Sequence, residues 1–219
     1  MHTPFPGRRT FMRNFVVGAA GLWIPGAFAE ALTLTPRQTE GPFYPTDLPL
    51  DTDNDLIIIN DSTNPSLGEI THLSGRVLDE KGAPIRNALV EIWQADQNGV
   101  YLHKGSDGAE KRDGNFQGFG RFLTGSAGEY YFRTIKPVKY PGRVPHIHFA
   151  VKMKGREKWT TQLYVKGDPA NEKDFVIRNI KDAAQRESVI REFKPIPGSK
   201  AGELAVTFDI VMGFTPQDG

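Results

Sequence analysis

Residues 73–96 read LSGRVLDEKGAPIRNALVEIWQAD, and this stretch decides the fold class. Apolar and polar residues alternate over 73–78 and again over 88–93, which is typical of strands that bury one face. In the second segment Leu89, Glu91 and Trp93 share one face, and Val90 and Ile92 share the other. Between the two segments, residues 79–84 carry the glycine and proline of a turn.

Similar patterns recur along the chain and predict further strands at 56–59, 128–134, 146–152, 160–165 and 204–211. One helix is indicated at 181–191, where the residues are polar and few of them break helices. The glycine-rich, charged segment 105–119 is predicted to be a loop. Several short strands at this spacing predict a mainly β protein. We expect an immunoglobulin-like or transthyretin-like β-sandwich with long loops and one or two short helices.

Composition narrows the classes of function. The chain has 219 residues and a formal net charge of +1, so it has no basic surface of the kind that nucleic-acid binding requires. The absence of cysteine excludes disulfides, zinc knuckles, iron–sulfur clusters and thiol nucleophiles. Any metal would therefore be held by His, Asp, Glu or Tyr.

The N-terminus has the features of an export signal. The sequence RRTFMR at 8–13 precedes an apolar run at 15–24, and Ala-Phe-Ala at 27–29 resembles a cleavage site. The paired arginines resemble a twin-arginine signal, although an ordinary secretory signal or an uncleaved anchor would also fit. We expect a signal peptide over 1–29, a single domain over 30–219, and a periplasmic or secreted protein with no stable membrane span after cleavage.

The sequence His-Ile-His at 146–148 predicts a metal site. Residues two apart in a strand point to the same face, so both imidazoles can lean onto one ion. Two histidines on a solvated strand face would give the same pattern. Tyr101 and Tyr140 favour the metal, because they lie upstream in segments typical of metal-site loops.

These residues belong to a longer set of segments. The set comprises TPRQTEGPFY at 35–44, the stretch 73–96, GVY at 99–101, FRTIKP at 132–137, YP at 140–141, PHIHF at 145–149 and TQLY at 161–164. Together they resemble the intradiol ring-cleavage dioxygenases, particularly the β chains of protocatechuate 3,4-dioxygenases. The resemblance covers essentially all of the chain after the signal.

The resemblance implies that Tyr101, Tyr140, His146 and His148 are the ligands of Fe(III). The residue types agree, because a trivalent ion can deprotonate a phenol whose ordinary pKa is near 10. Two phenolates are hard anionic donors that favour Fe(III), whereas imidazoles alone would also suit zinc or copper. A copper or zinc sandwich protein that adds His72 or His103 to the histidine pair is therefore the alternative metalloprotein.

The resemblance also implies the reaction, in which both atoms of O₂ enter a catecholic ring to give a cis,cis-muconate-type product. Tyr140 would leave the metal and act as a base. Arg143 would stabilise negative charge on the ring, and Gln162 would pair with Arg143. The partners expected are a catecholic substrate and O₂, and the likeness to a β chain favours a homo-oligomer. The rival class is a non-catalytic, transthyretin-like β-sandwich that only binds.

One feature departs from the family pattern. Only five residues separate Tyr140 from His146, and Gly142 stands where relatives carry an aromatic residue. We therefore expect a smaller or more open pocket wall. Phe43 and Val100 are the residues predicted to line the pocket.

Overall fold

The computed structural model describes residues 32–60 and 63–214, so the predicted signal over 1–29 lies outside the described residues. In chain order the strands are β1 (Ile70–Leu78), β2 (Leu89–Trp93), β3 (Phe119–Leu123), β4 (Glu129–Ile135), β5 (His146–Lys152), β6 (Trp159–Val165), β7 (Ile190–Arg191), β8 (Lys194–Pro195), β9 (Leu204–Thr207) and β10 (Ile210–Val211). The helices are α1 (Phe175–Asn179) and α2 (Ala183–Ser188), and short 3-10 helices lie at Ala109–Lys111 and Pro169–Lys173. The chain is mainly β, as predicted.

The strands form two five-stranded sheets. In the first sheet the order is β10-β1-β9-β8, and β4 also pairs with β1. In the second sheet the order is β3-β2-β5-β6-β7. The predicted turn after β1 is present, because the Asp79 carboxylate accepts from the backbone N–H groups of Lys81 and Ala83. β1 and β2 lie in different sheets, so this connection links the two sheets.

Alternation within each strand separates the core from the site. Val90 and Ile92 of β2 and Phe149 of β5 are wholly buried in the main apolar cluster, together with Phe132 of the first sheet. Burial of such a side chain contributes about 1.5–3 kcal/mol. Trp93 belongs to a second cluster on the opposite face of β2. That outer face of the second sheet carries the candidate site.

Two segments differ from the sequence prediction. The run at 56–59 forms turns rather than a strand, although Leu56 and Ile57 are fully buried in the core. The Leu56 N–H donates to the Arg133 carbonyl, so the burial leaves this backbone group paired. β3 was not predicted, because its alternation is interrupted by Gly120. A Cβ at Gly120 would lie 2.6 Å from Leu56 Cδ1, so this close approach requires glycine.

The helices are short and capped by aspartates. Asp182 caps α2 by accepting from the Gln185 N–H, and the predicted helix at 181–191 ends early because Ile190 and Arg191 form β7. Asp174 caps the unpredicted α1. In the described part of the chain, no helix is both long and apolar enough to span a membrane.

Candidate metal centre

β5 brings the two histidines to one point. His146 and His148 are 2% and 1% exposed, and their Nε2 atoms lie 3.0 Å apart. The Tyr101 hydroxyl lies 3.2 Å from His148 Nε2 and 3.4 Å from His146 Nε2. Three donor atoms from two parts of the chain therefore converge within one coordination sphere.

The protonation of these groups suits a cation. His146 Nδ1 lies 2.6 Å from the Val144 carbonyl, which can only accept, so Nδ1 carries the proton and Nε2 keeps its lone pair. Burial lowers the pKa of His146 to about 3. Burial, and next the neighbouring His146, lower the pKa of His148 well below its usual value. Neutral imidazoles are metal ligands, and His146 keeps its Nε2 lone pair toward the cluster, so the donor set fits the ion that the resemblance implies.

Tyr101 is placed by a tight turn. The Asp96 carboxylate accepts from the N–H groups of Asn98 and Val100, and Gly99 adopts φ 79°, which favours glycine. Burial, followed by the adjacent Tyr140, raises the pKa of Tyr101 well above 10. A phenol in this position needs a nearby cation in order to ionise at neutral pH.

Tyr140 begins the turn that leads to β5. The Arg143 N–H donates to the Tyr140 carbonyl at 3.0 Å, Pro141 follows Tyr140, and Gly142 has φ 83°, as in a type II turn. The Tyr140 ring lies 5.2 Å from the Tyr101 ring and 5.6 Å from the His146 ring, between centroids. Tyr140 is only partly buried, so of the two tyrosines it has the greater access to solvent.

The predicted arginine–glutamine pair forms. Arg143 Nη2 donates to Gln162 Oε1 at 2.7 Å, and Gln162 is fully buried on β6. Arg143 Nε also donates to Asp174 Oδ2 at 2.8 Å. Burial alone would lower the pKa of Arg143, but the bond to Asp174 outweighs it and the pKa is raised. The guanidinium therefore stays charged and fixed at both ends.

Sequence reasoning missed Asp174. Its Oδ1 accepts from the N–H groups of Val176 and Ile177, so one carboxylate caps α1 and holds Arg143. An aspartate before a short apolar run is a helix-cap signal, but nothing local to position 174 indicates the arginine.

Aromatic rings pack around the donors. Phe43 stacks on Tyr101 with 4.8 Å between ring centroids and meets Tyr140 edge-on at 5.9 Å. Trp93 lies parallel to His148 at 4.8 Å and 9°, a contact that the sequence did not indicate. Phe43 thus contacts both tyrosines. Val100, the other predicted lining residue, is buried in the turn that precedes Tyr101.

The other two histidines of the alternative copper or zinc site bond to groups outside the cluster, although the His103 ring meets Phe43 edge-on at 5.9 Å between centroids. His72 is on β1 of the first sheet, with Nδ1 2.5 Å from the Tyr131 hydroxyl. His103 Nδ1 accepts from the Gly105 N–H. In the described residues, no group of three or more His, Asp and Glu side chains is arranged to hold a metal. A cation held by the histidine pair would therefore need the tyrosines.

The short connection between Tyr140 and His146 forms an exposed turn at Gly142. Gly142 is exposed, and a Cβ placed there would meet no atom within 4 Å. Phe175 of α1 is 60% exposed, and the Arg143 guanidinium carbon lies 5.3 Å from its ring centroid. Gly142 and Phe175 are therefore the exposed neighbours of Tyr140 and Arg143, and the smaller or more open pocket wall stays a prediction.

Comparison with known proteins identifies the family. The family model described as Dioxygenase matches residues 39–213, a span that contains all the predicted ligands. The chain is 39% identical over 169 residues to the protocatechuate 3,4-dioxygenase beta chain of Burkholderia cepacia, which covers 73% of this chain and 71% of that one. The chain belongs to the intradiol ring-cleavage dioxygenases. The predicted family and enzyme class are thereby confirmed.

Other intradiol dioxygenases agree in sequence and in fold. Catechol 1,2-dioxygenase 2 of Acinetobacter lwoffii is 31% identical over 191 residues, which covers 79% of this chain and 64% of that one. The dioxygenase domain of a dioxygenase carbohydrate-binding protein fusion from Streptomyces sp. SirexAA-E matches with a TM-score of 0.64 and 30% identity, over 84% of this chain and 100% of that one. The chain therefore spans less than two thirds of the length of the Acinetobacter lwoffii enzyme.

Proposed function

We propose that the chain is an Fe(III)-dependent dioxygenase that opens a catechol- or protocatechuate-like ring between its two hydroxylated carbons to give a cis,cis-muconate-type product. The observation that carries the proposal is the convergence of His146 Nε2, His148 Nε2 and the Tyr101 hydroxyl within 3.4 Å. Neutral imidazoles and phenols in one cluster are a donor set for ferric iron.

Tyr101, Tyr140, His146 and His148 would hold the iron. Bound Fe(III) would supply a Lewis acid that lowers the pKa of the phenols and activates a catecholate toward O₂. Tyr101 is enclosed and would remain a ligand. Tyr140 is partly buried and carries Arg143 in the same turn, so it is the tyrosine suited to change its contacts during the reaction.

Tyr140 and Arg143 would divide the work on the substrate. The Tyr140 phenolate oxygen would accept a proton from a catechol hydroxyl. The Arg143 guanidinium would lie beside the ring and stabilise the negative charge that develops there. Gln162 and Asp174 hold the guanidinium in place before the substrate arrives, which reduces the cost of ordering it during the reaction.

The shape of the site supports a catecholic substrate. Phe43 supplies an aromatic face beside Tyr101 and Tyr140, and the exposed turn at Gly142 would leave room for a ring substituent. Relatives of this chain are named as dioxygenases of protocatechuate, catechol and hydroxyquinol. We place the substrate in this class and propose a homo-oligomer as the functional assembly.

We also propose that the chain is exported by the twin-arginine route, because of the paired arginines and apolar run within 1–29. That route carries folded proteins, so the metal would be loaded before export. Fractionation of cells that express the full chain, with N-terminal sequencing of the periplasmic form, tests this part. Mature protein found only in the cytoplasm would contradict it.

The proposed ring cleavage can be assayed directly. Iron-loaded protein is mixed with catechol, protocatechuate and hydroxyquinol while O₂ uptake and the ultraviolet absorbance of a muconate are followed. We expect one O₂ consumed for each ring cleaved. Iron-loaded protein that consumes no O₂ with any of them would refute the function.

A further inference from the structure

Residues 35–44, here called the N-terminal strap, are fastened to β6 through Gln38. The buried Gln38 donates its backbone N–H to the Thr160 carbonyl at 2.8 Å and accepts from the Thr160 hydroxyl at 2.6 Å. Its carboxamide reaches three further groups, which are Thr161 Oγ1, the Gln162 backbone carbonyl and the Tyr164 hydroxyl. The strap therefore places one amide beside the strand that carries Gln162.

The neighbours of Gln38 fix the orientation of its amide. Nε2 lies 3.1 Å from the Gln162 backbone carbonyl, which can only accept. Nε2 also lies 2.9 Å from Thr161 Oγ1, whose own proton goes to the Pro36 carbonyl. Gln38 Nε2 donates to both groups, and Oε1 is left facing the Tyr164 hydroxyl at 2.6 Å. Since an amide oxygen only accepts, Tyr164 must be the donor.

A second amide oxygen faces the same hydroxyl. Gln162 Nε2 donates to the Thr39 carbonyl at 2.9 Å, so Gln162 Oε1 points the other way. That oxygen lies 2.7 Å from Arg143 Nη2 and 3.0 Å from the Tyr164 hydroxyl. Tyr164 has one proton and two amide oxygens within reach, and Arg143 needs one of those oxygens.

We propose that Gln38 is a positioning residue for Arg143, because its carboxamide oxygen takes the Tyr164 proton and leaves Gln162 Oε1 to the guanidinium. This inference rests on the proposed function, in which Arg143 acts on the catechol ring. Without the Gln38 acceptor, Tyr164 turns its proton toward Gln162 Oε1, which then accepts from two donors, so its bond to Arg143 weakens. The guanidinium is then held chiefly by Asp174, and its orientation toward the ring loosens.

A double-mutant cycle on the iron-loaded enzyme tests the proposal. Gln38→Met keeps the length of the side chain and removes both polar atoms. We expect it to lower kcat on catechol about 10-fold, with KM changed less than about 2-fold and iron content unchanged. In a Tyr164→Phe background no hydroxyl competes for Gln162, so Gln38→Met should lower kcat there by less than about 2-fold.

Thr160→Val is the matched control. It removes the hydroxyl that donates to the Gln38 backbone carbonyl and loosens the strap without touching the Gln38 carboxamide or the Tyr164 proton, so it should lower the melting temperature and leave kcat unchanged. Equal losses of kcat from Gln38→Met in both backgrounds would mean that Gln38 only fastens the strap, and would overturn the proposal. A loss of kcat in Thr160→Val as large as in Gln38→Met would overturn it as well.

Gln38→Glu gives a second route if Gln38→Met does not fold. It keeps an oxygen that accepts from Tyr164 and loses the amide donors, so it should retain at least half of the parental kcat. A kcat reduced about 10-fold or more would contradict the proposal. A parent enzyme that binds iron but cleaves no catechol would refute the proposed function and this inference together, whereas an active parent with additive variants would refute this inference alone.

Discussion

Arg143 Nε lies 2.8 Å from Asp174 Oδ2, and the two side chains are 9% and 0% exposed. The pair joins the turn that carries Tyr140 to the start of α1. Burial would raise the pKa of Asp174, but its bonds with Arg143 and with the N–H groups of α1 lower that pKa below its usual value. The ion pair therefore contributes both to stability and to the placement of the guanidinium.

Asp174→Asn tests this contribution through pH. Asparagine also caps helices well, so the variant chiefly removes charge. A carboxylate with a lowered folded-state pKa stabilises the fold above its unfolded pKa of about 3.9, and that stability is lost as pH falls through the folded value. We expect the variant to lose about 3 kcal/mol of unfolding free energy at pH 7 and to match the parent more closely near pH 3. Melting curves between pH 3 and pH 7 measure the difference in stability between the variant and the parent. A difference that does not change with pH would contradict this prediction.

Arg143→Ala separates catalysis from metal binding. Arg143 contacts Gln162 and Asp174 but is not one of the proposed metal ligands. We expect kcat to fall by about 10²–10³ while iron content and the visible band stay close to those of the parent. Arg178→Ala, on the exposed side of α1, is the control and should leave kcat unchanged. A fully active Arg143→Ala would show that the short turn after Tyr140 has been assigned wrongly.

His148→Ala should behave in the opposite way. It removes one of four proposed protein ligands and leaves a cavity beside Trp93, so iron and colour should be lost together. Metal analysis of the purified variant measures the loss. His103→Ala is the matched control, because His103 bonds the Gly105 N–H rather than the ligand cluster, and it should keep its iron. Equal iron in parent and His148→Ala would argue against the ligand assignment.

The exposed turn at Gly142 predicts that the enzyme tolerates bulky substrates. Gly142 has φ 83°, so a side chain at this position would strain the turn. The space beside the turn is therefore better tested with substrates of different size than with a mutation. We expect kcat/KM for a tert-butyl-substituted catechol to stay within about 10-fold of the value for catechol. Steady-state O₂ uptake measures the ratio. A decrease of more than about 100-fold would indicate that another element closes the pocket.

The strands were predictable where one face is buried. The alternation at 88–93 assigned Val90 and Ile92 to one face and Trp93 to the other, and the core and the site divide them in the same way. The apolar run at 56–59 was misread because a buried turn and a buried strand have the same composition.

The residues of the candidate site were also predictable only in part. His146 and His148 were predictable because their pairing depends on spacing within one strand. The partners of Arg143 and Tyr164 were not all predictable, since Asp174 lies 31 residues from Arg143 and Gln38 lies 126 residues from Tyr164. Such contacts depend on how the turns and the N-terminal strap cross the sheet. The local sequence does not predict the path of these segments.

The visible absorption spectrum of the purified protein, read together with its iron content, tests the central claim most directly. Tyrosinate bound to Fe(III) gives a charge-transfer band, so we expect a burgundy protein with about one iron per chain and a band that shifts or weakens in Tyr101→Phe. Tyr130 lies in the main core, where its hydroxyl donates to the Phe208 carbonyl, so Tyr130→Phe should leave the band unchanged. A colourless, zinc-containing protein that is fully active on catechols would contradict the account.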